Sequence, residues 1–305
     1  MPLAESGAMA FAWHEITLVL FTALAPAGVL ACVACAFCVA LAGAGRAGAW
    51  LDESAAARLS HAAALPLAVS MVGLVASASH LGTPSNALYV LSGVGRSPLS
   101  NEVACAVAFT ALAGLHWLYS FAEKPGRVLQ RVWCCAVAVA GVAAVGAISL
   151  AYGAPTIVTW SHWSVPASLW LSALAGAPLL FLATARLARV DLPRGAARAS
   201  LACGVACLVA EACVLAGQWT WLGGVANAVG CAHDLAPRFP VVAGCYIAAG
   251  LVAYALAGRG VRAASRVGGR VRPRWLAAAC VLYFAGLLAV RFTFYMTHMT
   301  TGISL

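Results

Sequence analysis

Long apolar stretches alternate with short polar segments along the whole chain. A helix needs about 20 apolar residues, each rising about 1.5 Å, to cross the roughly 30 Å hydrocarbon core of a bilayer. Eight stretches reach that length: roughly 16–41, 59–79, 101–122, 131–153, 164–186, 200–222, 240–257 and 275–297. The polar segments are too short to fold as soluble domains. The pattern predicts an all-α polytopic membrane protein, an eight-helix transmembrane bundle forming one domain over residues 1–305.

Positive charge falls almost wholly on one side of this predicted bundle. Fifteen of the eighteen Lys and Arg residues lie in the loops after the first, third, fifth and seventh stretches. Arg96 and Arg238 lie in the other loops, and Arg291 lies within the eighth stretch. Because Lys and Arg accumulate in cytoplasmic loops, we expect both termini and the 80–102 loop to lie on the outer face.

The overall composition agrees with a membrane protein. The chain is 63% hydrophobic and 9% charged, with a mean hydropathy of +0.93, whereas soluble proteins carry about 25% charged residues. The net charge of +9 sits in short loops, and nucleic-acid binding requires a basic face on a folded domain, so we exclude that function. The twelve cysteines lie largely in apolar stretches, which is typical of small packing residues.

The loop between the second and third stretches carries the clearest candidate chemistry. His80 ends one stretch and Glu102 opens the next. Glu102 has two interpretations. It is a helix-capping acid, since Ser100 or Asn101 is suited to the N-cap and an acid in the first turn complements the helix dipole. Alternatively, it is a proton acceptor at the edge of the apolar layer, where burial changes proton affinity.

Two further charged residues lie within apolar stretches. Arg291 is spaced i, i+4, i+7 with Tyr295 and His298, which predicts one shared helix face. A charged side chain at this depth needs a partner or a water-filled cavity, unless it is long enough to extend to the lipid headgroups. Glu211, near the middle of the sixth stretch, is protonated, paired or hydrated, and its role stays open.

Few histidines are placed to bind a redox centre. Haem b within a bundle needs two histidines at similar depth on different helices, and His116 alone lies deep in an apolar stretch. We therefore expect no haem and no metal in this chain.

Five short motifs occur in an order and topology that match a known family. They are Trp13-His14-Glu15, His80-Leu81-Gly82-Thr83-Pro84, Leu99-Ser100-Asn101-Glu102, the Trp160/Trp163/Pro166 cluster, and Arg291-Phe292-Thr293-Phe294-Tyr295 through His298-Met299-Thr300. With these motifs the whole chain resembles the membrane anchor subunits of the dimethyl sulfoxide reductase family (the DmsC type), which have eight spans and both ends outward.

The resemblance implies a subunit that oxidises menaquinol in anaerobic respiration but does not itself reduce the terminal substrate. It implies a multi-pass protein of the inner (cytoplasmic) membrane of a prokaryote that draws on the menaquinone pool. Its partners would be an iron–sulfur electron-transfer subunit and a molybdopterin catalytic subunit, which carry the cofactors. The family's quinol-site histidine and glutamate match His80 and Glu102. We group as candidate quinol-binding residues Gly82, Pro84, Ser100, Asn101, Arg291, Tyr295 and His298.

The chain departs from the family pattern inside the loop. Asn86 stands where the family often has a basic residue, and Leu88 stands where an aromatic residue is expected, with Tyr89 beside it. We expect the iron–sulfur subunit to dock over the loops 80–102, 154–163 and 223–239.

Two alternative functions stay open. One is a quinol anchor of the polysulfide- or nitrite-reductase type. The other is a small-solute transporter or an assembly factor; in transporters, polar sites tend to lie at the membrane midplane. Glu211 favours the transporter, and the clustering of polar residues at one face opposes it.

Overall fold

The computed structural model describes residues 3–42, 51–80, 84–123, 125–153, 156–227, 230–267 and 273–300. The helices are α1 (Leu3–His14), α2 (Ile16–Leu41), α3 (Glu53–Ala62), α4 (Ala64–Ser79), α5 (Pro98–Tyr119), α6 (Arg127–Ala151), α7 (Ser164–Leu187), α8 (Arg194–Leu222), α9 (Ala232–Leu235), α10 (Phe239–Val267) and α11 (Pro273–Met296), with a 3-10 helix over Pro84–Gly93. Eight helical segments are long and apolar enough to cross a membrane, with α3 and α4 together forming the second. The predicted all-α architecture with eight spans is confirmed.

Several spans begin earlier than the apolar pattern predicted. α8 begins at Arg194 and α6 at Arg127, each several residues before the apolar stretch. A helix satisfies its own backbone hydrogen bonds and therefore continues from the bilayer into polar surroundings without a penalty. Hydropathy marks where a side chain leaves the bilayer, and it does not mark where the helix ends.

The second span is interrupted at Ala63, between α3 and α4. Pro66 has no N–H to donate to the Ala62 carbonyl, and in an uninterrupted helix its ring would clash with that carbonyl. Asp52 caps the beginning of α3, where its carboxylate accepts a 2.6 Å hydrogen bond from the Ala55 N–H.

The crossing helices form two groups of four, one from α2, α3–α4, α5 and α6 and the other from α7, α8, α10 and α11. α2 packs on α4 and α6 and also reaches across to α7 and α11, so it joins the two groups. Small residues allow the close contact of α2 with α4. A Cβ at Gly28 would lie 2.6 Å from the Ser70 nitrogen, and one at Gly73 would lie 2.8 Å from the Ala25 nitrogen. Such contacts are typical of membrane helices.

The two ends of the bundle differ. At the Arg58 end, Arg58 and Arg131 donate hydrogen bonds to the carbonyls of Ala188 and Ala42. At the opposite end, here called the His80 end, α1 lies against α9 and α11. There Phe11 stacks on His298 at 4.3 Å. The loops that the sequence assigned to the same side therefore meet at the same end.

Candidate functional site

His80 lies at the C-terminal end of α4 and contacts the residue that joins α1 to α2. Its Nε2 is 3.2 Å from a carboxylate oxygen of Glu15. The His80 side chain is 37% exposed and that of Glu15 is 11% exposed, so the imidazole is accessible while the carboxylate behind it is shielded. The sequence placed Glu15 at this face but gave it no role, because nothing in a linear sequence shows that it meets His80.

The residues after His80 are described only in part. Gly82, with Leu81 and Thr83, lies outside the described residues. Pro84 begins the 3-10 helix Pro84–Gly93, whose backbone returns the chain toward α5.

The N-terminus of α5 corrects the expected cap. Ser97 is the N-cap and its hydroxyl accepts a hydrogen bond from the Ser100 N–H, so neither Ser100 nor Asn101 caps the helix. Pro98, which follows Ser97, has a fixed φ that suits the first helical position. Asn101 instead accepts a 2.6 Å hydrogen bond from the Gly95 N–H and ties the preceding loop to the helix.

Glu102 therefore lies in the second turn of α5, beyond the reach of a capping role. It is 5% exposed, and when ionised it acts electrostatically on the hydroxyl groups of Tyr152 and Tyr295. Among the described residues, no side chain or backbone group makes a hydrogen bond to its carboxyl group. A buried carboxyl without a protein partner is energetically costly unless something else binds it.

An aromatic cluster forms the wall beside Glu102. The Tyr295 hydroxyl donates a 2.7 Å hydrogen bond to the Tyr152 hydroxyl, and Trp160 packs at 5.4 Å from the Tyr295 ring. Burial raises the pKa of Tyr152 well above its ordinary value, so this hydroxyl stays neutral. The Trp160 Nε1–H is buried and has no hydrogen-bond partner among the described residues. The sequence named Trp160 only as part of a motif, and the structure shows that it is buried.

His298 does not share a helix face with Arg291 and Tyr295 as predicted, because α11 ends at Met296. It lies beyond the helix between Phe11 and Trp160, with ring centroids at 4.3 and 5.2 Å. Burial lowers the pKa of His298, and the negative charge of Glu15 opposes that shift.

Arg291 points into the bundle and not toward the lipid headgroups. It is 3% exposed. Its guanidinium donates to the Ser168 carbonyl at 3.0 Å and to the Ser172 hydroxyl. Arg291 belongs to a set of buried polar residues that we call the inner polar cluster: Ser168, Ser172, Glu211, Tyr246, Tyr283 and Arg291.

No group of three or more His, Cys, Asp or Glu residues suited to a metal ion occurs in the described part of the chain. His116, the deep histidine, lies 3.4 Å from the sulfur of Cys134, toward the Arg58 end and away from His80 and Glu102.

Comparison with known proteins gives consistent matches. The family described as DMSO reductase anchor subunit (DmsC) matches residues 9–296. The C subunit of the anaerobic dimethyl sulfoxide reductase of Escherichia coli (strain K12) is 32% identical over 234 residues, which cover 76% of this chain and 79% of that protein. The YnfH subunit of an anaerobic dimethyl sulfoxide reductase in the same organism is 32% identical over 181 residues, or 58% of this chain and 60% of that protein. The C subunit of the Haemophilus influenzae enzyme is 34% identical over 110 residues, or 36% of this chain and 39% of that protein.

The match extends from α1 to the end of α11 and includes all eight helical segments able to cross a membrane. This multi-pass protein therefore belongs to the DMSO reductase anchor subunit (DmsC) family.

Proposed function

We propose that the protein is the menaquinol-oxidising anchor of a dimethyl-sulfoxide-reductase-type complex in the inner membrane of a prokaryote, with its His80 end facing outward. The charge distribution supports this orientation, since fifteen of the eighteen Lys and Arg residues belong to the loops of the opposite side. The names of the relatives, which are subunits of anaerobic dimethyl sulfoxide reductases, support the type of complex.

One observation carries the proposal most directly. Glu102 is a buried residue whose carboxyl group has no hydrogen bond among the described residues. It acts electrostatically on the Tyr152–Tyr295 pair, and Trp160, whose buried N–H has no partner in the described part of the chain, packs against Tyr295. A quinol offers both complements, because its hydroxyl groups donate to a carboxylate and its oxygens accept from an N–H. A bound quinol headgroup would satisfy both groups at once.

The residues then have distinct roles in the reaction. His80, oriented by Glu15 at 3.2 Å, makes a hydrogen bond to one quinol oxygen. Glu102 accepts one proton as the quinol is oxidised. The oxidation releases two electrons and two protons. The electrons leave one at a time to an iron–sulfur cluster in the partner subunit, and the protons leave to the outer side.

The partner surface lies at the same end of the bundle. The loops of 80–102, 154–163 and 223–239 contribute to it, and His162 of the second loop stacks at 4.2 Å on Trp221, in the last turn of α8 just before the third loop. Trp13 and Trp163 are exposed there. An iron–sulfur subunit that binds this surface brings its cluster close to the quinol, and it in turn binds the molybdopterin subunit that reduces the terminal acceptor.

The test is the substitution Glu102→Gln in the assembled complex. It keeps the shape of the side chain and removes the proton acceptor, so quinol-dependent turnover should fall by about 10²–10⁴-fold. Turnover with an artificial dye that reduces the partner subunits directly should stay at the wild-type level, because the complex still assembles.

The matched control is Glu53→Gln, which removes an exposed carboxylate that pairs with Arg127 at the Arg58 end. It should leave both turnover numbers unchanged. A ratio of quinol-dependent to dye-dependent turnover that is the same in Glu102→Gln and in wild type would overturn the proposal.

A further inference from the structure

Glu15 and His80 meet at the His80 end of the bundle, and the backbone holds both of them in place. Glu15 lies between α1 and α2, where its N–H donates to the Phe11 carbonyl at 3.0 Å. His80 follows α4, and its N–H donates to the Ser77 carbonyl at 3.1 Å. Since α2 packs closely on α4, helix packing sets the positions from which the two side chains meet.

One oxygen of the Glu15 carboxylate lacks a hydrogen bond. Its Oε2 atom is buried and has no hydrogen-bond partner among the described residues, and the Nε2 atom of His80 lies 3.2 Å from it. That separation is within hydrogen-bonding range. Because the second side-chain torsion of histidine is broad, a small rotation of the ring aligns a proton on Nε2 with this oxygen. The carboxylate as a whole keeps contact with water, since 11% of the Glu15 side chain is exposed.

This contact determines which nitrogen of a neutral His80 ring carries the proton. A neutral imidazole has one N–H donor and one lone-pair acceptor. With the proton on Nε2, the Glu15 carboxylate receives a charge-assisted hydrogen bond. With the proton on Nδ1, two lone pairs would face each other at 3.2 Å, and the buried oxygen would stay unsatisfied at a cost in free energy. Glu15 therefore favours the tautomer protonated on Nε2.

The other ring nitrogen of His80, Nδ1, is then left as an acceptor. The side chain is 37% exposed, and in the described part of the chain no hydrogen bond reaches Nδ1. The ring of His14 lies beside it in a T-shaped arrangement, with 6.5 Å between the ring centroids. A ligand hydroxyl group can donate to Nδ1, whereas a ligand carbonyl oxygen would face its lone pair.

Quinol and quinone differ in the hydrogen bond that they offer to such a nitrogen. A quinol hydroxyl group donates, and a quinone carbonyl oxygen only accepts. An acceptor at this position therefore attracts the reduced form and leaves the oxidised form without a hydrogen bond. Polar groups that one ligand satisfies and another does not are an effective source of specificity.

We propose that Glu15 is a positioning residue that makes the site selective for quinol over quinone, because it holds the proton of His80 on Nε2 and leaves Nδ1 to accept from the quinol hydroxyl. This inference rests on the proposed function. Glu15 does not touch the ligand and acts through the imidazole. Once the quinol has been oxidised, its oxygen no longer donates to Nδ1, so the same arrangement promotes release of the product.

The experiment compares the affinities of the reduced and oxidised ligands in the membrane-bound complex. Short-chain menaquinol is the electron donor, and short-chain menaquinone is added as an inhibitor. We define the selectivity ratio as the inhibition constant of the quinone divided by the KM of the quinol. In Glu15→Gln the side-chain amide can donate to Nε2, so the ring of His80 is free to carry its proton on Nδ1. The quinol then binds more weakly and the quinone more tightly, and the selectivity ratio should fall about tenfold, the effect of one hydrogen bond.

Glu5→Gln is the matched control, because Glu5 is another buried acid of the same end and contacts Arg238 at 3.6 Å. Its selectivity ratio should equal that of wild type. The double variant Glu15→Gln/His80→Gln should have the same ratio as His80→Gln alone, since Glu15 acts only through the imidazole. A purely structural role for Glu15 would change the KM and the inhibition constant by the same factor. An unchanged or higher ratio in Glu15→Gln, or an equal fall in Glu5→Gln, would overturn the inference.

A second measurement does not depend on how well Glu15→Gln accumulates. Nitrogen-15 spectra of the histidine-labelled complex, recorded at about pH 8 where an ordinary histidine ring is neutral, distinguish the two tautomers. The signals that disappear in His80→Gln should be those of a ring protonated on Nε2 alone. A ring protonated on Nδ1, or on both nitrogens, would contradict the inference.

The two proposals fail in different ways. If the proposed function is wrong, Glu102→Gln leaves the ratio of quinol-dependent to dye-dependent turnover unchanged. If only the present inference is wrong, Glu102→Gln lowers that turnover ratio while Glu15→Gln keeps the wild-type selectivity ratio.

Discussion

Two buried carboxyl groups of this protein have opposite surroundings. Glu211 is fully buried in the second helix group, with both of its oxygens hydrogen-bonded and an arginine close by. Glu102 is nearly as buried, at the His80 end of the first group, but among the described residues nothing is hydrogen-bonded to its carboxyl group. Burial alone therefore does not identify a reactive group. A carboxyl that is already satisfied is held in place by the fold, and one that is unsatisfied is available to a ligand.

The hydrogen bonding of Glu211 also bears on the transporter hypothesis, because Glu211 was the residue that favoured it. A substrate site at the midplane requires a polar group that faces a cavity. Both Glu211 oxygens are bonded within the inner polar cluster, so this residue no longer favours transport.

The largest expected effect comes from removing the counter-charge of Glu211. Arg291→Met leaves the buried Glu211 carboxyl without the positive charge that acts on it and removes the hydrogen bonds to Ser168 and Ser172; removing one of two opposite buried charges costs about 3–5 kcal/mol. The protein should accumulate poorly in membranes and unfold at a lower temperature in detergent, whereas Glu102→Gln should do neither.

The control for this prediction is the double variant Arg291→Met/Glu211→Leu, which leaves no unpaired charge in the inner polar cluster and should recover much of the lost stability. Wild-type accumulation of Arg291→Met would mean that the charge of Arg291 does not stabilise the inner polar cluster, and the contrast between the two carboxyl groups would be lost.

A smaller effect is expected for His80, at the exposed edge of the candidate quinol site. His80→Gln removes a hydrogen bond to quinol and the 3.2 Å contact of the imidazole with Glu15, so quinol-dependent turnover should fall about tenfold, the equivalent of about 1.4 kcal/mol. Binding of a quinol analogue, measured by fluorescence titration, should weaken similarly. Ser79→Ala, at the exposed neighbouring position, should leave both quantities unchanged, and wild-type binding by His80→Gln would remove His80 from the site.

The smallest effect concerns acid stability at the His80 end. Burial lowers the pKa of His298 in the folded protein, so the folded state favours the neutral ring and the unfolded state binds a proton more readily. This contribution to stability is present above the ordinary histidine pKa of about 6.5 and is lost as the pH falls. The temperature of unfolding should therefore depend less on pH between about 7.5 and 5.5 in His298→Phe than in wild type. An equal loss of stability in acid for both proteins would contradict this, and His14→Gln, at an exposed position, is the control.

The local pattern of apolar and polar residues predicted most of the architecture, but it failed for α1 and for the N-cap of α5. The apolar pattern predicted all eight spans because each must cross the same thickness of hydrocarbon. It missed α1 as a separate helix, because this segment lies against the end of the bundle and does not cross the membrane. It placed the cap of α5 at Ser100 or Asn101, where Ser97 followed by Pro98 provides it. Gly82 lies outside the described residues, and the quinol contacts proposed for the loop stay predictions.

The apolar and charged pattern of the chain was enough to identify the eight apolar helices, which loops share an end of the bundle, and Glu102, His80 and Arg291 as unusual residues. Those properties depend on local hydrophobicity and charge, which each segment carries independently of the rest. Only the tertiary structure decided what these residues contact, since the partners are remote along the chain. Arg291 meets Ser168 across 123 residues and Tyr295 meets Tyr152 across 143. Helix packing sets such contacts, and it is the packing that satisfies the carboxyl group of Glu211 and leaves that of Glu102 open.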